Sequence, residues 1–139
     1  MILLDTSGLF AALDTNAAEH QACRGVIEAA DGPLLLSPFA LAELDYLVTR
    51  RLGEHAAARL REDVAWGAYR LEPMTAADVG HAQRITQRYP RLGVGLTDAS
   101  IVVLAERHDT RDLLTLDQRH FRVLRGADGR PFRLLPADA

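Results

Sequence analysis

Four acidic residues lie at the ends of predicted strands or on the apolar stripes of predicted helices, where an exposed surface charge is not expected. Asp5 follows the apolar run MILL and Asp117 follows LLTL, so both end short runs typical of buried strands. Asp98 opens the helical stretch TDASIVVLAER, on its apolar stripe. Glu43 shares the stripe of Phe39, Ala40 and Leu47 and is expected to face inward. Taken singly, the aspartates are as simply explained as helix caps or dipole-complementing acids, and a small helix rotation returns Glu43 to solvent.

Considered together, the four acids predict a single cation site. In an open α/β sheet, ligands bind beyond the carboxyl ends of the strands, where the elements that carry these acids can converge. Carboxylates gathered in one crevice raise one another's pKa values, so the arrangement requires a compensating cation. Oxygen ligands alone favour Mg²⁺ or Mn²⁺, held together with water and substrate phosphate.

The elements that must position the acids alternate between short apolar runs and longer helical stretches. Ser37 and Pro38 form a helix start, and Thr75 with Asp78 forms a capping box. Residues 89–96 are expected to be a loop. Buried strands alternating with helices predict a parallel sheet with helices on both faces. The predicted strands are 1–5, 34–36, 68–72, 112–117 and 132–135, and the predicted helices are 7–13, 17–30, 38–53, 54–66, 76–88 and 97–108.

Composition narrows the class of protein. The 139 residues suit one domain spanning 1–139, and the single cysteine, Cys23, rules out an intrachain disulfide. All 16 basic residues are arginine, so a Walker-type P-loop and Schiff-base chemistry are excluded. No apolar run approaches the roughly 20 residues that span a bilayer, and no signal-peptide pattern opens the chain. We therefore expect a cytoplasmic protein.

The ordered acidic motifs resemble those of PIN-domain ribonucleases, most closely the VapC-type toxins of bacterial toxin–antitoxin pairs. The matching motifs are DTS at 5–7, ALAEL around Glu43, LTDAS around Asp98 and LTLDQRHF around Asp117. The resemblance implies a PIN-like three-layer α/β/α sandwich with a central parallel sheet, usually dimeric. It also implies an endoribonuclease that depends on Mg²⁺ or Mn²⁺ and is neutralised by a VapB-type antitoxin. The targets known in the family are tRNAs and the sarcin–ricin loop of ribosomal RNA.

The same resemblance implies roles for individual residues. Asp5, Glu43, Asp98 and Asp117 would bind the metal ion. Ser7 or Thr6 would orient a water molecule or a neighbouring carboxylate, although Thr6 is alternatively a helix cap. Thr115 would support the turn that carries Asp117. Attack by water rather than by the ribose 2′-hydroxyl would leave 5′-phosphate and 3′-hydroxyl ends.

Arginines are the candidate contacts with RNA. Without the four site acids, the remaining 15 of the 19 acidic residues face 16 arginines, so the net charge of -3 does not forbid a polyanionic partner. Each candidate is also explained as a solvated surface charge. The candidates are Arg84, Arg88 and Arg91 near the glycine-containing loop, and Arg119 and Arg122 beside Asp117.

Four alternatives are considered at this point, and the residues disfavour the first two. A phosphatase of the haloacid-dehalogenase type needs a D-x-D pair and a lysine, and a response receiver needs a lysine, all absent here. A non-catalytic PIN-fold binding module predicts broken acidic positions. A housekeeping nuclease outside a toxin–antitoxin pair uses the same residues. His20 and His120 are interpreted as packed or surface residues, and the apolar surplus on 38–52 and 54–66 offers a dimer face.

Overall fold

A computed structural model describes residues 1–139 and shows one five-stranded sheet in which all paired strands are parallel. The strand order is β3-β2-β1-β4-β5, so the chain builds one half of the sheet outward from β1 and then returns to build the other half from β4. This reversal beside β1 is the kind of switch point at which ligands bind. The strands are β1 (Ile2–Leu4), β2 (Leu34–Leu36), β3 (Arg70–Leu71), β4 (Asp112–Leu114) and β5 (Arg133–Leu135).

Helices cover both faces of the sheet because leucines alternate along its strands. Leu3 and Leu113 belong to one core layer, whereas Leu4 and Leu114 belong to the opposite one. The predicted three-layer α/β/α sandwich is confirmed. The first four helices cover one face and the last three the other: α1 (Thr6–Leu13), α2 (His20–Glu28), α3 (Pro38–Leu52) and α4 (Glu54–Trp66), then α5 (Ala76–Arg88), α6 (Leu96–His108) and α7 (Gln118–Phe121).

The predicted helix starts are confirmed in atomic detail. Ser37 Oγ accepts a hydrogen bond from the Phe39 amide at 3.2 Å, with Pro38 at the first helical position. Thr75 and Asp78 form the reciprocal capping box. None of the helices combines the length and the apolar character that crossing a membrane requires.

Several predicted boundaries are wrong, mostly where side chains bind the backbone. The predicted strand 112–117 ends at Leu114, because Thr115 and Asp117 hydrogen-bond to the backbone of the following turn. The predicted helix 17–30 begins only at His20, after a turn in which Asp14 Oδ1 accepts from the Asn16 amide. The strands predicted over 1–5 and 68–72 shorten to three and two residues, and the helix predicted from 97 starts at Leu96.

Candidate metal centre

All four predicted acids line one cavity of about 470 Å³, here called the acidic cavity. Asp5 and Asp117 reach it from just beyond the ends of β1 and β4. Asp98 reaches it from the first turn of α6 and Glu43 from α3. Ser7 and Thr6 line the same cavity. The structure therefore brings together every residue that the sequence motifs singled out as a ligand.

A glycine allows the two central strands to share this site. A Cβ atom on Gly8 would lie 2.6 Å from the carbonyl oxygen of Leu114, so only glycine lets the start of α1 approach β4 this closely. The close approach lets the Leu116 amide donate to Ser7 Oγ at 2.9 Å. Ser7 and Leu116, which are 109 positions apart in the sequence, thereby become neighbours.

Asp5 forms the buried floor of the cavity. Its Oδ2 accepts hydrogen bonds from Ser7 Oγ and Thr115 Oγ1, both at 2.7 Å. Burial raises the pKa of the Asp5 carboxyl, and the bonds from Thr115 and Ser7 oppose that rise. The alternative that Thr6 caps the helix is wrong, because Asp5 occupies the cap position and Thr6 Oγ1 is buried without a partner.

Thr115 connects Asp5 to Asp117. While donating to Asp5, its Oγ1 accepts from the Asp117 amide at 3.0 Å. Asp117 Oδ1 in turn accepts from the His120 amide at 3.0 Å, so Asp117 does cap α7. The capping explanation is correct for this residue, and it does not remove Asp117 from the cavity.

His120 lies between two of the acids. Its Nδ1 is 2.8 Å from Asp98 Oδ2 and 3.0 Å from Asp117 Oδ2. The pKa of Asp98 is raised to about 6. Burial is the largest cause and the charge of Asp5 the second, and the charge of His120 opposes the rise. Mutual repulsion among the acids, expected from the sequence, is thus visible at Asp98.

The structure shows that His120 is packed, as interpreted from the sequence, but the sequence did not reveal its contacts with Asp98 and Asp117. The missed signal is its spacing, because a residue three positions after Asp117 lies on the same side of a helical turn. Its Nε2 is buried without a partner.

Glu43 differs from the other three acids, and the expectation that it is buried is wrong. The buried stripe of α3 consists of Ala40, Leu44 and Val48, so the helix is rotated relative to the stripe assumed from the sequence. Glu43 is exposed at the open side of the acidic cavity. Its Oε2 accepts one hydrogen bond, from Thr97 Oγ1 at 3.3 Å.

A buried pair of serines, which the sequence did not reveal, fixes α3 against α6. Ser37 Oγ and Ser100 Oγ are 2.7 Å apart. Ser100 donates its proton to the Thr97 carbonyl at 2.6 Å, so Ser37 must be the donor between the two hydroxyls. This link holds the helix that carries Glu43 beside the helix that carries Asp98.

The donor set fits a divalent cation. Asp98, Asp117 and His120 offer ligand atoms that all lie within 4.8 Å of one another, and the Asp5 carboxylate lines the same cavity. Burial is the main cause of the raised pKa of Asp98, and the charge of Asp5 adds to it; a cation would offset both, because it stabilises the ionised carboxylate. Carboxylate oxygens dominate the set, as hard divalent ions prefer.

Comparison with known proteins gives a consistent picture. The family model of the PIN domain matches residues 2–126. Ribonuclease VapC26 of Mycobacterium tuberculosis is 40% identical over 135 residues, which cover 97% of this chain and 100% of that protein.

Solved structures share the architecture at lower identity. The Mycobacterium tuberculosis VapC20 structure, a toxin that cleaves the sarcin–ricin loop, aligns with a TM-score of 0.78 and 21% identity over 84% of this chain and 90% of that one. VapBC2 of Rickettsia felis, bound to a DNA fragment from its promoter, aligns with a TM-score of 0.67 and 17% identity over 96% of this chain and 98% of that one. At these identities the likeness is one of fold.

Proposed function

The chain belongs to the PIN-domain family, and on that premise we propose that it is a metal-dependent endoribonuclease toxin of the VapC type. The observation that carries the proposal is the acidic cavity, in which all four acids of the family motifs are present and adjacent. Ribonuclease VapC26, which the chain matches over its full length, supports the activity. A non-catalytic module would be expected to have lost at least one of these acids.

In this proposal Asp5, Glu43, Asp98 and Asp117 hold Mg²⁺ or Mn²⁺. The ion, when bound, activates water and stabilises the negative charge that develops on the scissile phosphate. Ser7 and Thr115 hold Asp5 in one orientation through its Oδ2. His120 holds the carboxylates of Asp98 and Asp117 close together through its Nδ1. Such outer contacts fix the geometry of metal ligands.

The substrate in this proposal is a folded RNA of the translation machinery, either tRNA or ribosomal RNA. VapC20, which shares the fold, cleaves the sarcin–ricin loop, so the fold is compatible with a ribosomal target. Cleavage would inhibit translation, and the protein would act in the cytoplasm, where such RNA is found. Hydrolysis by water predicts 5′-phosphate and 3′-hydroxyl ends.

We further assign a VapB-type antitoxin and a second copy of the chain as partners. The structural likeness to the toxin of the VapBC2 pair supports an antitoxin, because an unneutralised ribonuclease of this kind would arrest its own host. If a small reading frame that encodes a DNA-binding protein precedes the gene, co-expression of the two should yield a stable complex that no longer cleaves RNA.

The activity is tested by incubating the purified protein with total RNA, with and without Mn²⁺, beside an Asp5→Asn variant. We expect discrete fragments with 5′-phosphate ends that depend on both the metal ion and Asp5. Cleavage that persists in a chelator, or that the variant performs equally well, would contradict the proposal.

A further inference from the structure

Two stretches of the chain that flank the acidic cavity contain arginine but no acidic residue. One lies between Asp78 and Asp98 and the other between Asp117 and Asp128. In a protein of net charge -3, this segregation concentrates positive charge next to two of the cavity acids. The arginines concerned are Arg84, Arg88 and Arg91 in the first stretch and Arg119, Arg122 and Arg125 in the second.

Two of these arginines are already engaged within the protein. Arg122 binds Asp138 at 2.7 Å, and Arg125 donates to the carbonyl oxygens of Arg122 and Leu124. The other four are exposed, and none of the ion pairs of the protein involves them. These four arginines are therefore available to an external anion: Arg84, Arg88, Arg91 and Arg119.

The packing of α5 on α6 places the first group beside the site. His81 pairs with Glu106, and Asp78 with Arg107, so the two helices run antiparallel. The carboxyl end of α5 must therefore lie beside the first turn of α6, which carries Asp98. Spacings of three and seven residues put Arg84 and Arg88 on the same side of α5 as His81, which contacts α6.

A shallow apolar cavity of about 340 Å³ lies between the loop that follows α5 and the turn that follows α7. Its lining includes Tyr89, Arg91, Leu92 and Val123, and Val123 is 45% exposed. Arg119 lies one helical turn before Val123. A half-buried aromatic ring in a cavity that Arg91 also lines is a combination that binds unpaired nucleotides, because the ring stacks on a base while a guanidinium group binds phosphate.

The opposite wall of the acidic cavity has the reverse character. It is lined by Asp14 and Glu19 from the α1–α2 connection, and Arg51 is the single basic residue of the cavity lining. A polyanion that approached from this wall would meet two further carboxylates. Charge complementarity therefore favours the α5–α7 side.

We propose that a single-stranded segment of the RNA substrate crosses the site on the α5–α7 side. Its phosphates bind Arg84, Arg88, Arg91 and Arg119, and an unpaired base occupies the cavity at Tyr89 and Val123. This assignment rests on the proposed function for the identity of the ligand, and it adds the path of the strand and a base-binding cavity separate from the metal centre.

Binding of a short labelled single-stranded RNA, measured in EDTA over a series of salt concentrations, tests the path without any cleavage. Each phosphate contact to a single strand contributes about 0.7 to the slope of log affinity against log salt. The double variant Arg88→Gln/Arg91→Gln should lower that slope by roughly 1.4. Arg59→Gln on α4 removes another exposed, unpaired arginine and should leave the slope unchanged.

The base cavity has its own matched pair of variants. Val123→Glu should weaken binding at least roughly tenfold, since stacking and phosphate contacts are both opposed. Val79→Glu, which alters a similarly exposed valine (40%) near the other end of α5, should change it little. Thermal melting of each variant identifies any that fail to fold.

Three results would overturn the proposed path. The first two are no RNA binding by the unmodified protein and equal slopes for the double variant and Arg59→Gln. The third, from a parallel measurement with polyglutamate, is a double variant that loses binding to polyglutamate but still binds RNA normally. The last would mean that this surface recognises an acidic protein. The binding assay contains EDTA, so its result does not depend on cleavage. If any of these results is obtained while Mn²⁺-dependent cleavage is normal, the path is wrong and the ribonuclease proposal stands. If RNA binds as predicted but is not cleaved in the presence of Mn²⁺, the path stands and the ribonuclease proposal is wrong.

Discussion

The floor and the open side of the acidic cavity are built in different ways. On the floor, Asp5 accepts from two hydroxyls and Asp117 shares His120 with Asp98. On the open side, exposed Glu43 receives one hydrogen bond, from Thr97 at 3.3 Å. Floor residues are already held in place, whereas Glu43 must lose side-chain freedom when it binds a cation. If the proposed function is correct, the floor defines the metal centre and Glu43 adjusts its affinity.

Asp5→Asn should have the largest effect on activity. Removing a floor carboxylate costs several kcal/mol of charge stabilisation, which corresponds to a loss of roughly 10³-fold in cleavage rate. The metal-free variant should melt no lower than the unmodified protein, because the Asp5 carboxylate is buried and repelled by Asp117. Cleavage assays combined with melting curves in EDTA check both points. A large drop in stability would show that Asp5 is mainly structural.

Thr115→Val should have the next largest effect, although Thr115 is not itself a ligand. It removes the donor to Asp5 and the acceptor of the Asp117 amide, and the loss of such outer contacts lowers metal affinity or activity roughly 10–100-fold. Thr115→Ser keeps the hydroxyl and should retain most of the activity. If the valine and serine variants behave alike, the hydroxyl does not organise the floor.

The metal-free protein should become less stable as the pH rises. The pKa of Asp98 is about 6 in the folded protein and 3.8 ordinarily, so the folded state binds this proton more tightly than the unfolded state does. The free energy of unfolding should therefore fall by about 1–2 kcal/mol between pH 4 and pH 6 and then level off. Denaturant titrations in EDTA, compared with Asp98→Asn, isolate this contribution. An identical pH dependence in the variant would exclude Asp98 as its source.

Glu43→Gln should have the smallest effect. Because Glu43 is exposed and contacts only Thr97, we expect a loss of Mn²⁺ affinity below about tenfold, a free-energy change near 1 kcal/mol. Calorimetric titration with Mn²⁺ measures it. An effect as large as that of Asp5→Asn would remove the distinction between the floor and the open side.

Local signals explain why so much of the architecture was predictable from the sequence. Ser37 with Pro38 and the Thr75 capping box act within one turn, and they mark the starts of α3 and α5 correctly. Short apolar runs predict β1, β2, β4 and β5, whereas β3 has only two exposed residues, Arg70 and Leu71, within the predicted 68–72. The acidic motifs point to the four residues that the structure gathers in one cavity.

Features that depend on distant parts of the chain were not predictable in the same way. Thr115 and Asp5 are 110 positions apart, and they meet because β4 pairs with β1 and Gly8 admits the close approach. The Ser37–Ser100 contact requires α3 to pack on α6. Glu43 was correctly directed at the cavity, but its exposure was missed because spacing alone does not distinguish the buried stripe of α3 (Ala40, Leu44 and Val48) from the adjacent one.

Mn²⁺ binding to the metal-free protein, measured by calorimetry at neutral pH beside Asp98→Asn, tests the metal centre most directly. If the floor acids form a metal centre, the unmodified protein binds Mn²⁺ with release of protons, and the variant binds at least roughly tenfold more weakly. No binding by the unmodified protein, or equal affinity in Asp98→Asn, would contradict the assignment of this cavity as a metal centre.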